Sequence, residues 1–187
     1  MEAFVPAFLL ALLSQIGDRP PLLAAILVDR YRRPITILFA AFAAHAAGNA
    51  IAAALGGTLT ATLTPEAKSL LLAVALLFAG VTGLWTSRLP SRLDRWRLGA
   101  FATSVAGLFI LALGERTQFL TFALSTGGAP WFAAIGATLG ATIVSAAALS
   151  LDETRWSALP LRQLRLAIAA LFLLAGTVIG LGALRLF

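Results

Sequence analysis

The chain of 187 residues reads as an all-α, polytopic membrane protein with six transmembrane helices arranged as two inverted three-helix repeats. Three observations predict this. With 60% hydrophobic residues, 12% charged and a mean hydropathy of +0.94, it is too apolar to hide its side chains in one soluble core. Runs of about 20 apolar residues, the length that crosses a bilayer, recur near 3–28, 34–56, 69–86, 99–126, 130–151 and 165–186. The two halves also repeat. Gly17, Arg19 and Leu23 match Gly114, Arg116 and Leu120 at a shift of 97, whereas Pro34 matches Pro130 and Ala79-Gly80 matches Ala175-Gly176 at 96, the drift of one loop deletion. Three spans per repeat is an odd number, so the second repeat enters the membrane in the opposite direction from the first.

The elements follow in order. Helix 1 has only Glu2 and no basic residue before its apolar run, which predicts that it is retained rather than cleaved as a signal peptide. Within it, Pro20 and Pro21 remove the backbone bonds to the carbonyls of Ile16 and Gly17 and push Arg19 out of helical geometry, so the helix is expected to break at Asp18. Pro34 opens helix 2, Pro65 lies near helix 3, Pro90 precedes helix 4, Pro130 opens helix 5 and Pro160 precedes helix 6. The whole is one membrane domain, with repeat 1 at about 1–86, repeat 2 at about 99–187 and a linker at 87–98.

Charge sets the orientation. Arg30, Arg32 and Arg33 lie in the first loop, Arg88, Arg92, Arg95 and Arg97 in the third, and Arg155, Arg162 and Arg165 in the fifth; the opposite side has only Lys68 and Arg185. Basic residues concentrate on the cytoplasmic face, which places these three loops inside and both chain ends outside. The formal charge of +6 is therefore a topological signal, and nucleic acid is not an expected partner. The stretch from Arg88 to Arg97, with Trp96, reads as an anchor at the lipid headgroups, with anionic lipid binding as an alternative. Thirteen arginines against one lysine, abundant alanine and short loops incline toward a bacterial inner membrane. Membrane lipid is an expected partner, and a homodimer is allowed.

With no cysteine and one histidine, the chain has no thiolate or multi-histidine metal site and few nucleophile–base pairs, so an enzyme is not expected. Its chemistry concentrates in two polar clusters inside apolar runs, Gln15-Ile16-Gly17-Asp18-Arg19 and Gly114-Glu115-Arg116-Thr117-Gln118. An ionised side chain at the bilayer centre costs at least about 2.5–3.5 kcal/mol, so such groups are functional candidates. Asp18 and Glu115 each lie about fifteen residues into a helix, near mid-membrane at the standard rise, where antiparallel repeats bring them together. Carbonyl oxygens freed at the break, beside a carboxylate, are hard ligands suited to calcium, magnesium or manganese. The competing reading is a structural kink in which Asp18 pairs with an arginine. Thr117 and Gln118 supply either neutral ligands or interhelical hydrogen bonds. His45 and Asn49, one turn apart on helix 2, and Thr138, Thr142 and Ser145 on helix 5 either line a cavity, with His45 as a proton relay, or bond across helices.

The paired clusters, each on the first helix of a three-helix repeat, resemble the Glu-x-Gly-Asp-(Lys/Arg)-(Thr/Ser) motif of the Golgi calcium/manganese transporter family. The likeness covers the whole chain in length, helix count and repeat layout. It implies a six-helix cation/proton exchanger, a family whose bacterial members include manganese exporters. The leading Glu of that motif is Gln15 in the first copy and Ala112 in the second, its Asp is Asp18 and then Glu115, and its hydroxyl residue is Pro20 in the first copy.

On this resemblance Asp18 and Glu115 bind one divalent cation, manganese or calcium. Gln15, Gln118 and the Ile16 and Gly17 carbonyls complete an oxygen shell, with Gly17, Gly114 and Thr117 as supporting motif residues and Arg19 and Arg116 holding the carboxylates or easing release. Two carboxylates carry either two protons or one doubly charged ion, which makes export against protons chemically natural, and no cofactor is implied. The alternatives are a transport-inactive relative serving as a membrane interaction partner and an exporter of another small solute, such as an anion drawn to Arg19 and Arg116.

Overall fold

The computed structural model describes residues 2–85 and 90–185, and among these it contains eight helices and no strand. Helix α1 spans Phe4–Gln15, α2 Arg19–Tyr31, α3 Pro34–Thr58, α4 Pro65–Leu84, α5 Ala100–Ala112, α6 Arg116–Ser125, α7 Pro130–Ala158 and α8 Leu161–Ala183. Four of them, α3, α4, α8 and the Pro130–Leu151 part of α7, are each long and apolar enough to cross a membrane. The α1–α2 and α5–α6 pairs meet that test only together and are bent by 65° and 69°. The described residues thus hold four to six crossings, six when each bent pair is one broken span. Arg88 and the ends of the third and sixth expected spans, at 86 and 186, lie outside the described residues.

The apolar runs mark the membrane and not the helices. Helix α4 starts at Pro65 and α8 at Leu161, each a turn before its apolar run, because Pro65 and Pro160 set up a helical start ahead of the polar segments Glu66–Lys68 and Arg162–Arg165. Thr64 caps α4 by accepting the Ala67 amide at 3.2 Å. Beyond its membrane-length part, α7 runs on to Ala158.

Packing pairs the two halves. Helix α1 packs on α7 and α5 on α3, α2 packs on α7 and α6 on α3, while α3 meets α7 and α4 meets α8. Exchange of the two halves maps this list onto itself. The α4–α8 seam shows it atom by atom. A Cβ added at Gly80 would lie 2.9 Å from the Ala169 oxygen and 2.6 Å from Leu173 Cγ, and one at Gly176 would lie 3.0 Å from the Ala73 oxygen and 2.9 Å from Leu77 Cγ. Ala73 and Leu77 are Ala169 and Leu173 moved back by 96, so each glycine admits the other helix at equivalent points along two antiparallel helices. Small residues let backbones approach closely where apolar driving force is absent. This reciprocity is compatible with an inverted repeat.

The loops bearing arginine gather at one end. Arg30 donates to the carbonyls of Leu93 and Trp96, and Asp29 accepts the Glu153 amide at 3.1 Å. Arg92 pairs with Glu153 across the surface. At the other end Arg185 pairs with Glu66 at 3.1 Å.

Candidate functional site

Both bends have one cause. Residues Ile16 and Gly17 have φ/ψ of −66°/119° and a φ of +74°, and Leu113 and Gly114 repeat this with −59°/120° and +79°. In each case the residue after the glycine donates its amide back three positions, Asp18 to the Gln15 oxygen at 3.2 Å and Glu115 to the Ala112 oxygen at 3.1 Å. That is a type II turn, which demands a positive φ at its third position and so selects glycine. The acid that follows is extended and serves as N-cap of the next half-helix.

This corrects three expectations. Pro20 and Pro21 are not the source of the break, since the second copy breaks with Thr117 and Gln118 in their place, and helix 4 of the sequence reading is not continuous over 99–126. Nor is Arg19 expelled from helical geometry; it is the first residue of α2, and the prolines sit in the opening turn, where their missing donors cost nothing.

The two turns bring the acids together. Asp18, Glu115, Arg19 and Arg116 line one cavity of about 340 Å³, walled by Phe78, Thr82 and Trp85 of the α4 end and by Leu111, Leu113 and Gly114. Asp18 accepts its own following amide, Arg19 N, on Oδ1 at 2.9 Å. Its Oδ2 accepts from Arg116 Nε at 3.1 Å and Nη2 at 2.7 Å, and both side chains are under a tenth exposed. Gly83 makes room for this pair: a Cβ there would lie 3.1 Å from Arg116 Nη1. Glu115 differs. Its Oε2 is buried with no hydrogen-bond partner among the described residues, and it makes no capping bond to α6. Arg19 forms no ion pair or side-chain hydrogen bond among the described residues.

The remaining candidates divide. Gln118 lines a second, largely apolar cavity of about 630 Å³ with Gly48, Phe78 and Phe119, and its Oε1 accepts the Gly114 amide at 3.3 Å. Glu115 borders both cavities. Gln15 is 1% exposed and donates to Thr117 Oγ1 at 3.0 Å; neither it nor Ile16 nor Gly17 lines the cavity of the acids. The expected oxygen shell is therefore not assembled here, and no group of three or more His, Asp or Glu side chains gathers among the described residues.

His45, Asn49 and the hydroxyl stripe do not line the cavity of the acids either. They bond across helices: His45 Nε2 lies 3.1 Å from Ser145 Oγ, Asn49 Nδ2 donates to Thr138 Oγ1 at 3.3 Å, and Thr121 Oγ1 donates to Asn49 Oδ1 at 3.1 Å. Thr142 is the exception and donates to the Thr138 carbonyl within α7 at 2.7 Å. Thr121 also bonds the Thr117 carbonyl at 2.9 Å, and Thr117 Oγ1 meets Ser14 Oγ at 2.8 Å. A continuous chain of polar groups thus runs from the first turn through α6 to α3 and α7. Ser14, Thr121, Thr82 and Gly83 were not singled out from sequence. Thr121 lies one helical turn after Thr117 and was detectable by that spacing; nothing local marks Gly83 as the seat of an arginine.

Two comparisons with known proteins bear on this site. The sequence model of the family described as divalent cation/proton antiporter GDT1 matches residues 3–91 and 100–185. A Vibrio cholerae serotype O1 protein described as "Putative manganese exporter" is 31% identical over 164 residues, which cover 87% of this chain and 82% of that relative. No solved structure matches the chain. With the family match extending over nearly its whole length and a relative similar over most of it, the chain is a multi-pass membrane protein that belongs to the divalent cation/proton antiporter GDT1 family.

Proposed function

We propose that this protein exports a divalent metal, manganese or calcium, from the cytoplasm in exchange for protons, with Asp18 and Glu115 as the exchanging carboxylates. The observation that carries this reading is their meeting in one cavity, each delivered by the glycine turn of a different repeat. The unbonded Oε2 of Glu115 is a free hard ligand, suited to an oxygen-seeking cation or a proton. Arg116 holds Asp18 in this structure and must release it for both acids to reach one ion. Gln15 orients Thr117 rather than contacting the ion, and Gln118 braces the second turn through the Gly114 amide.

The same reading makes the chain one membrane domain of two inverted repeats, at about 1–86 and 99–187, joined by a cytoplasmic linker at 87–98. It lies in a bacterial inner membrane with the arginine-bearing loops inside and both ends outside. The clustering of Arg30, Arg92 and their partners at one end supports that orientation.

Manganese and calcium flux into proteoliposomes across a pH gradient tests the function. Flux that Asp18→Asn abolishes is the expected result, and no flux of either ion from folded protein contradicts it. A second reading, a transport-inactive relative, is favoured by the Arg116 contact that neutralises Asp18; it predicts that Asp18→Asn leaves partner binding intact. An anion exporter would instead depend chiefly on Arg19 and Arg116.

A further inference from the structure

The two repeats have closely similar turns but unequal surroundings. The acid of the first turn is held by the arginine of the second, Asp18 by Arg116, while the equivalent pair, Glu115 with Arg19, is not formed although all four side chains share one cavity. The glycines differ in the same sense. A Cβ at Gly17 would lie 3.1 Å from the Leu161 oxygen and 3.4 Å from Arg165 Cβ of α8, so the first turn is covered, whereas a Cβ at Gly114 would meet nothing within 4 Å. One turn is closed and paired; its counterpart is open and unpaired.

Two halves with matching helix pairings but unequal turns point to a second state, in which the halves exchange arrangements. Resting on the exchange function above, we infer that Arg19 and Arg116 are alternating positioning residues: Arg116 holds Asp18 in the state seen here, and Arg19 holds Glu115 in the opposite state. In each state the acid whose arginine has let go is free to meet the ion first, and the ion draws the second acid off its arginine, so that both hold it as the carrier passes between the two states. Until then the buried charge of the other stays compensated by its arginine, so at most one of the two carboxylates lacks a partner in the low-dielectric site. Arg19, whose side chain makes no ion pair or hydrogen bond among the described residues, acquires its role in the other state.

The chain has no cysteine, so Thr82→Cys in the cavity wall supplies a single reporter. Its rate of reaction with a charged thiol reagent, measured on full-length protein in lipid nanodiscs, reads how far the cavity is open. Arg116→Gln removes the pair of this state and is expected to slow labelling about threefold or more, and Arg19→Gln removes the pair of the other and is expected to speed it by a similar factor. Lysine at either position should return the rate toward that of the parent. Movement of both variants in one direction, or an unchanged rate in Arg19→Gln, overturns the inference. The Arg19→Gln result decides alone if Arg116→Gln fails to assemble. Labelling does not require transport, so opposite shifts in a protein that carries neither manganese nor calcium would support the exchange of pairs while overturning the cation reading.

Discussion

Arg116 places two N–H donors, Nε and Nη2, on a single oxygen of Asp18, a residue 98 positions away in the other half of the chain. Each side chain opens a half-helix just past a glycine turn, so the ion pair ties the two breaks of the membrane domain together.

This pair is buried, and removal of one partner strands the other. Arg116→Gln is expected to lower stability by about 3–5 kcal/mol, the cost of an uncompensated buried charge, and Asp18→Asn with Arg116→Gln to recover most of it. Thermal unfolding in detergent of the two single variants and the double variant measures the cycle.

The glycine turns predict an ordered pair of costs. Alanine at a left-handed position costs roughly 1–2 kcal/mol, and both Gly17 and Gly114 incur it. Only Gly17 also faces a backbone oxygen and a side chain within 3.4 Å. Gly17→Ala should therefore unfold at a lower temperature than Gly114→Ala. Equal shifts would mean that α8 does not press on the first turn.

Asn49 bonds both Thr121 and Thr138, linking α3 to α6 and α7. Interhelical hydrogen bonds in membranes contribute about 0.6 to 2 kcal/mol each, so Asn49→Ala should destabilise by about 1–3 kcal/mol, with little change in ion affinity. A large loss of affinity at unchanged stability would place Asn49 in the ion site instead.

His45 bonds Ser145 within the α3–α7 contact and does not line the cavity of the acids. His45→Gln is expected to leave the pH dependence of exchange in place, whereas Glu115→Gln should abolish it. A pH profile that follows His45 would restore the proton relay.

Much of this architecture is written locally. Apolar runs mark the crossings because a bilayer demands about twenty such residues. The first break was legible as Pro20-Pro21, although for the wrong reason: the prolines advertise a helix start, while Gly17 makes the turn. In the second copy Gly114 makes the same turn with no proline beside it, and a glycine inside an apolar run has too many other uses to be read alone. The acids were legible as costly charges in a membrane. Which arginine holds which acid was not, because that depends on how two distant turns are presented to each other and on the room left by Gly83. The hydroxyl stripe of α7 shows the same limit, since helical spacing places Thr138, Thr142 and Ser145 on one face and only the fold decides that Asn49 and His45 lie opposite.

The central claim is that a divalent cation and protons compete for the carboxylates at the two turns. Proton release on addition of manganese to weakly buffered, purified protein measures that competition directly. Protons released by the unaltered chain and lost in Glu115→Gln are the predicted result; manganese binding with no proton release, or release that Glu115→Gln leaves unchanged, would contradict it.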